Sequence, residues 1–280
     1  MIELPEARTI AKDLRREILG KKVVEVGRMN VDHKFTFYQG NPEEYAKKLC
    51  GKVVTDIVNR NYYVEIVLEE QKLILRDGAQ IRYYPKESPR SKKSALFVVF
   101  EDGSYLDVTT LMYCVLGVMT PQELKQDPYY QLELCRPGAM EEDFTWDYFL
   151  SLIDSKTEEL SLKAFLATKQ RIPGVGNGVL QDILFMARLH PKRKIRTLQF
   201  MEKRNLYEAI RTTLKQMIEQ NGRDTEKTIY GEFGQYQTKM SHKNYRHGCP
   251  ICHREIVKEN YLGGVIYYCP HCQEEEPIDA

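Results

Sequence analysis

The sequence predicts an α+β protein, in which a strand-rich part is followed by a helical part and a small cysteine-bearing module. Short β-rich runs separated by turn residues fill roughly the first 120 of the 280 residues, a spacing typical of a sandwich or a barrel. Helical periodicity dominates from Trp146 onward, and two Cys-x2-Cys pairs lie near the end. A chain of this length is expected to form two or three domains.

The first predicted element is a helix over residues 6–19, because Ile10, Leu14 and Ile18 recur on one side and Gly20 follows. Turn signals such as Asp102-Gly103 separate the β-rich runs that come next. These predicted strands are 22–26, 34–38, 53–60, 62–68, 72–75, 81–84, 95–100 and 105–108.

The middle of the chain is rich in Asp, Pro, Gly and paired acids, and we interpret residues 121–145 as a linker. Apolar periodicity then predicts helices at 146–153, 161–166, 179–188 and 198–220. The expected domains are therefore a β domain at 1–120, the linker, a helical domain at 146–240 and a cysteine module at 246–276.

The cysteine module consists of two Cys-x2-Cys pairs with sixteen residues between them. Two β-rich runs joined by Gly263-Gly264 lie between the pairs, so a β-hairpin with its turn at these glycines is expected. Four thiolates at this spacing are typical of a structural zinc site; the alternative is two disulfides. The predicted ligands are Cys249, Cys252, Cys269 and Cys272.

The formal net charge of +1 conceals an uneven distribution. Residues 163–196 contain eight Lys or Arg against one acid, whereas residues 121–160 contain ten acids against three bases. Such a basic stretch can bind a polyanion, or it can be a solvated helix face. No apolar run is long enough to span a membrane, and the N-terminus does not resemble a secretory signal. The scattered cysteines Cys50, Cys114 and Cys135 favour a reducing cytoplasm.

A glycine-containing loop at 170–178 separates two of the predicted helices. Gly174 and Gly176 permit close approach of a ligand, and Asn177 lies where it could cap the second helix. Free amide groups at a helix start bind phosphate well, although the loop could equally be a tight helical connection with Asn177 as a plain cap. With the basic stretch added, nucleic-acid binding is expected. The residues that would take part are Lys169, Arg171, Gly176, Asn177, Lys192 and Arg193.

These motifs together resemble the formamidopyrimidine-DNA glycosylase/endonuclease VIII family along the whole chain. The matching segments are Ile2-Glu-Leu-Pro-Glu6, Pro173-Gly-Val-Gly-Asn177 through Leu189-His-Pro191, Gly222-Arg-Asp-Thr-Glu226 and Tyr268-Cys-Pro-His-Cys-Gln273. The resemblance implies a β-sandwich, a helix–two-turn–helix domain and a zinc hairpin. It also implies a bacterial cytoplasmic, nucleoid-associated monomer that acts on double-stranded DNA with oxidised bases or abasic sites.

Family members use an N-terminal proline amine to attack the sugar C1′ and form a Schiff base, with the adjacent Glu as acid/base. The resemblance places these acids at Glu3 and Glu6 but puts Ile2 at the proline position. Because initiator Met is normally trimmed only before small residues, Met1 is expected to remain and to supply a primary amine.

Other family positions differ as well. The DNA-contacting lysine of the β domain aligns with Tyr62, and the fingertip arginine aligns with Gly264. The residues inserted into the duplex fall near Asp77 and within 109–114, where Met112 or Tyr113 could substitute. The candidate replacements for the lost phosphate contacts are Arg60, Arg76, Arg82, Lys258 and the loop 85–93.

Three functions are compatible with this pattern. The first is a DNA glycosylase and abasic-site lyase of altered mechanism that retains Glu3. The second is a catalytically inactive DNA- or lesion-binding protein on the same scaffold, motivated by the changes at Ile2, Tyr62 and Gly264. The third is a zinc-stapled structural module, against which the basic stretch weighs.

Overall fold

The computed structural model describes residues 2–29, 34–76, 78–86, 88–111 and 113–275. None of the helices in this part of the chain is long and apolar enough to cross a membrane. The chain divides into two compact units, which are Met1–Leu134 with Glu226–Gly234, and Cys135–Thr225 with Gln235–Ala280.

The first unit is a β-sandwich, as predicted. Its strands are β1 (Val23–Gly27), β2 (Thr36–Gln39), β3 (Asp56–Arg60), β4 (Tyr63–Leu68), β5 (Gln71–Arg76), β6 (Ala79–Tyr84), β7 (Ser94–Phe100), β8 (Tyr105–Thr110) and β9 (Cys114–Met119). One sheet has the order β1-β7-β8-β6, and the other has the order β2-β9-β5-β4-β3. Apolar side chains from both sheets form a common core.

Helix α1 (Leu4–Ile18) packs against β3 and β4. Its buried residues include Ile10, Leu14 and Ile18, as the periodicity predicted. Pro5 lies in the first turn, where a missing amide hydrogen costs nothing. A short helix, α2 (Tyr45–Leu49), lies between β2 and β3 in the chain.

Strand β9 and two helices were not predicted. Helices α3 (Pro121–Gln126) and α4 (Pro128–Leu134) occupy the first part of the expected linker. Thr120 and Glu123 form a reciprocal capping box, and Asp127 Oδ1 accepts a hydrogen bond from Tyr130 N at 2.8 Å. Both capping signals are visible in the sequence. The prediction of a linker rested on the composition of this segment instead.

Residues 226–234 were expected in the helical domain but belong to the first unit. Ile229 is completely buried in the sandwich core, and its carbonyl accepts a hydrogen bond from Tyr83 N at 2.9 Å. Arg82 donates to Thr228 O at 3.0 Å, and the Tyr230 hydroxyl donates to Glu17 at 2.8 Å. We call 226–234 the strap, since it closes over the sandwich from a distant part of the sequence.

The second unit contains a helical layer and a hairpin. Its elements are α5 (Trp146–Ser151), α6 (Leu162–Ala167), α7 (Val179–Met186), α8 (Phe200–Glu219), β10 (Val257–Tyr261) and β11 (Gly264–Tyr268). The helices share one apolar core, while Phe185 of α7 packs in a second cluster with Tyr267 of the hairpin. The predicted turn at Gly263-Gly264 is displaced by one residue, because Tyr261 pairs with Gly264 and the turn residues are Leu262 (φ 46°) and Gly263 (φ 72°).

Substitution Ile229→Ala is expected to destabilise the first unit by about 2–5 kcal/mol, because it removes a fully buried side chain and leaves a cavity. Urea unfolding followed by circular dichroism measures the change. Phe233→Ala, in the same strap but about half exposed, is the matched control and should change stability by less than about 0.5 kcal/mol. Equal effects of the two substitutions would show that the strap does not contribute to the core.

Candidate nucleic-acid interface and metal centre

The four hairpin cysteines lie together. Their sulfur atoms are all within 4.8 Å of one another, and Cys252 Sγ is 3.4 Å from Cys269 Sγ. A disulfide requires about 2.05 Å, so the alternative of two disulfides is wrong for this structure. Zn–S bonds of about 2.3 Å in a tetrahedron place sulfurs about 3.8 Å apart. The thiols therefore fit a closed, four-coordinate metal site.

Side chains of α7 and the loop before it hold the edge of the hairpin. Gln181 Nε2 donates to Val265 O at 3.0 Å, and Gln181 Oε1 accepts from Tyr267 N at 3.0 Å. Asn177 Nδ2 also donates to Val265 O, at 3.1 Å. The prediction that Asn177 caps the helix was wrong: Gly178 occupies the N-cap position, and the Asn177 amide faces the hairpin instead.

Two of the predicted DNA-binding arginines have structural partners. Arg171 donates to the carbonyls of Ala164, Phe165 and Thr168 at the end of α6. Arg193 is 5% exposed and forms a two-pronged ion pair with Glu202 at 2.5 and 2.7 Å. For these two residues the sequence indicated only a positive charge. Arg193 is buried, whereas Arg171 is partly exposed while it holds the end of α6.

The remaining predicted contacts are more accessible. Lys169 and Lys258 are exposed, and Gly176 lies partly exposed in the loop. Lys192 is partly exposed and pairs with Glu259 of the hairpin at 2.6 Å. These residues of the second unit remain candidates for contact with a polyanion.

The N-terminal residues of the described chain are buried. Ile2 is 6% exposed and packs in the sandwich core, Glu3 is 3% exposed at the N-cap of α1, and Glu6 is 6% exposed. The predicted nucleophile, Met1, lies outside the described residues. A carboxylate at the start of a helix is stabilised by the helix dipole. Glu3 thus lies where the helix dipole acts on its carboxyl group.

A cavity of about 30 Å³ lies beside these residues, lined by Ile2, Glu6, Arg82, Leu111 and others. That volume suits a water molecule or two rather than a nucleobase. Of the residues predicted to enter the duplex, Asp77 and Met112 lie outside the described residues, whereas Tyr113 is 37% exposed.

Tyr62, at the family's lysine position, does not face solvent. It is 8% exposed in a satellite cluster with Tyr63 and Tyr130, and its hydroxyl lies 3.0 Å from that of Tyr63. Tyr62 therefore packs within the first unit, and its predicted role as a DNA contact stays a prediction.

The proposed replacement cations differ in exposure. Arg76 is 7% exposed, and it donates to the Tyr63 hydroxyl at 2.9 Å. Arg82 donates to the backbone of the strap. Arg60 remains 41% exposed while its Nε lies 3.4 Å from buried Glu65. Arg60 and Lys258 are therefore the more accessible of these four arginine and lysine residues.

Sequence reasoning missed two residues beside the hairpin. Gln181 was not singled out, because its role depends on a strand more than eighty residues away. Lys163 was counted only as one charge of the basic stretch, yet it is 4% exposed and burial lowers the pKa of its ammonium group. The one signal in the sequence was that Lys163 stands among apolar residues of a predicted helix.

Two family models match the chain. The formamidopyrimidine-DNA glycosylase N-terminal domain matches residues 1–110, and the formamidopyrimidine-DNA glycosylase H2TH domain matches residues 136–228. Among curated proteins, formamidopyrimidine-DNA glycosylase of Carboxydothermus hydrogenoformans is 28% identical, over 98% of this chain and 100% of the relative. The enzyme of the same name from Streptococcus pneumoniae is 27% identical over 99% of this chain and 100% of the relative.

Solved structures show the same fold. A complex of Lactococcus lactis Fpg with DNA containing an abasic site is 22% identical with a TM-score of 0.84, and covers 97% of this chain and 99% of that one. The MutM (Fpg) protein of Thermus thermophilus is 24% identical with a TM-score of 0.80, covering 98% and 100%.

Purified protein is expected to contain about one zinc ion per chain, bound by the four thiolates, and chelation should loosen the hairpin. Mass spectrometry of the metal and hydrogen exchange of β10 and β11 measure both. Cys272→Ser should abolish zinc binding, whereas Cys135→Ser, which changes an exposed cysteine outside the cluster, should not. Full zinc content in Cys272→Ser would contradict the assignment.

Proposed function

Because this chain belongs to the formamidopyrimidine-DNA glycosylase family, we propose that it is a DNA glycosylase that acts on damaged bases or abasic sites in double-stranded DNA. The observation that carries the proposal is Glu3, which retains the family's acid position and lies 3% exposed at the start of α1. Relatives named for this activity align over nearly the whole chain, which supports the same reaction class.

In this proposal Glu3 activates a water molecule or the sugar of the damaged nucleotide. The glycosidic bond between C1′ and the base breaks, the water oxygen bonds to C1′, and the base leaves with a proton. The reactive carbon is inaccessible in a stacked duplex, so the nucleotide must be extruded first.

The lyase step would use the amine of Met1, since Ile2 stands at the family's proline position. Burial of the Ile2 side chain in the sandwich core anchors the chain one residue from that amine. An α-amine has a pKa near ~8, so part of it is unprotonated at neutral pH. It can condense with the C1′ aldehyde of an abasic site, releasing water and forming a Schiff base from which the strand is cleaved.

In this proposal the zinc ion is structural and takes no part in catalysis. Four thiolate ligands close the coordination sphere, so the ion has no position for water or substrate. The metal would keep the hairpin tip folded beside Asn177, where the phosphate backbone of DNA is expected.

A second candidate function is a catalytically inactive DNA- or lesion-binding protein. The differences from the family at Ile2, Tyr62 and Gly264 favour it, because the resemblance places the proline nucleophile, the lysine contact and the fingertip arginine at these positions. Such a protein would bind duplex DNA with an affinity that falls steeply with salt, and it would release no base.

Glu3→Gln is expected to lower base release by about 10²–10⁴-fold, because it removes the acid/base group while conserving shape. Single-turnover assays on a panel of duplexes with oxidised bases measure this. Glu44→Gln, an exposed acid in the same unit, is the control and should leave the rate unchanged. Lack of base release from every substrate by the wild-type chain, combined with tight duplex binding, would favour the inactive protein.

Borohydride should trap a covalent complex between the chain and abasic DNA, because it reduces a Schiff base to a stable amine. Intact-mass analysis identifies whether Met1 is present, and peptide mapping locates the adduct. A chain extended by two residues before Met1 should trap far less, since its amine is displaced. Base release without any trapped complex would leave only the Glu3-dependent hydrolysis.

A further inference from the structure

A short acidic segment follows the last cysteine of the chain. Residues 274–276 are three consecutive glutamates, and Asp279 comes shortly after them. Glu274 and Glu275 are exposed, and residues 276–280 lie outside the described residues. We call residues 274–279 the acidic segment. Consecutive like charges repel one another, and a neighbouring cationic group relieves that repulsion.

Gln273 fixes the point at which the acidic segment begins. Its side chain is completely buried, where Nε2 donates to Leu189 O at 3.0 Å and Oε1 accepts from Cys269 N at 3.1 Å. The backbone amide of Gln273 also donates to Cys269 O at 2.9 Å. Leu189 belongs to the loop that follows α7. The acidic segment therefore begins beside this loop.

Two cations of this loop lie in the sequence before and after Leu189, and we call them the basic surface. The first is Arg188, which is exposed and forms no ion pair with any of the described residues. The second is Lys192, which pairs with Glu259 of the hairpin at 2.6 Å. The backbone amide of Lys192 donates to His190 Nδ1 at 3.2 Å. One carboxylate thus offsets two positive charges.

The negative charge of Glu275 acts on the groups around the basic surface. The hydrogen bond to Glu259 raises the pKa of the Lys192 ammonium group, and the charge of Glu275 raises it as well. Burial raises the pKa of the Tyr268 hydroxyl, and Glu275 adds to this in the same direction. The Tyr268 ring packs edge-on against His190, with centroids 4.2 Å apart. The acidic segment therefore starts on the side of the module that carries Lys192.

We propose that the acidic segment folds back onto the basic surface and competes there with the phosphate backbone of DNA. Carboxylate and phosphate oxygens accept the same charge-assisted hydrogen bonds from arginine and lysine. Because the segment is tethered beside the surface, its effective concentration there is on the order of millimolar. The competition is electrostatic, so it is strongest at low salt. This inference rests on the proposed function, because it takes the competing polyanion to be duplex DNA.

Carbodiimide cross-linking tests the fold-back contact without DNA, since it joins a carboxylate to an amine only where the two meet. Peptide mapping should find Lys192 joined to the acidic segment, and the Lys192–Glu259 ion pair supplies an internal control product. Arg188→Lys places an amine at the other cation and should give a second cross-link to the segment. Salt at about 1 M should suppress the products that involve the segment. A Lys192–Glu259 product without any product from the segment would overturn the proposal.

Duplex binding tests the competition. The probe is a labelled duplex with a tetrahydrofuran abasic-site analogue, at salt concentrations from about 50 to 200 mM. The combined change Glu274→Gln, Glu275→Gln and Glu276→Gln should tighten binding about 10-fold at the lowest salt, and by less as salt rises. The slope of affinity against salt should steepen by about 1–2, because two cations become available to phosphates. Zinc content and thermal melting establish that the variant is folded.

A matched control changes three other consecutive exposed acids of the second unit, at positions 141–143. The combined change Glu141→Gln, Glu142→Gln and Asp143→Asn alters the net charge equally and should change affinity less than about 2-fold, because distant exposed charges are screened. In a chain that already carries Arg188→Gln and Lys192→Gln, neutralising the acidic segment should also have little effect.

The outcomes separate this proposal from the proposed function. A wild-type chain that binds no duplex and releases no base would contradict the proposed function, whereas the cross-links would still support the fold-back contact. Equal tightening by the segment variant and by the control variant would reflect net charge alone and would overturn the competition. Tightening that persists without Arg188 and Lys192 would overturn the assignment of the basic surface.

Discussion

The hairpin of the second unit depends on contacts outside itself. A two-stranded ribbon is at best marginally stable in water, and its edges carry unpaired backbone groups. Three interactions compensate: the four-thiol cluster at its base, the packing of Phe185 and Tyr267, and the Gln181 amide bonded to both Val265 and Tyr267. The Gln181 side chain thus makes the two backbone hydrogen bonds that a neighbouring strand would otherwise make. Together these three interactions fix the position of the hairpin tip relative to Lys163 and Asn177.

Two residues that differ from the family pattern contribute to the packing of the first unit. Tyr62 packs in a cluster of tyrosines, and Ile2 packs in the sandwich core. Glu3 stays at the head of α1. Tyr62 and Ile2 are thus accommodated by packing within the first unit, while Asn177 and Gln181 of the second unit contact the hairpin edge.

Much of the architecture was predictable because it follows from local patterns. Short β-rich runs between turn signals located all strands of the sandwich except β9, and the helical periodicity located α1 and α5 to α8. The cysteine spacing indicated the thiol cluster correctly. The partners of the basic residues were not predictable, because Arg193–Glu202 and Lys192–Glu259 depend on tertiary contacts that a charge count does not contain. A buried lysine such as Lys163 differs from a solvated one only in its surroundings.

The strap also constrains when the first unit can be completed during synthesis. Its core includes Ile229, which is encoded more than a hundred residues after β9, and the intervening chain forms most of the second unit. A ribosome must therefore release nearly the whole protein before the sandwich acquires its last core residue. Domains usually fold in order from the N-terminus as they emerge. Here the N-terminal unit is finished late, so a chain truncated before residue 226 lacks part of the core that surrounds its own N-terminus.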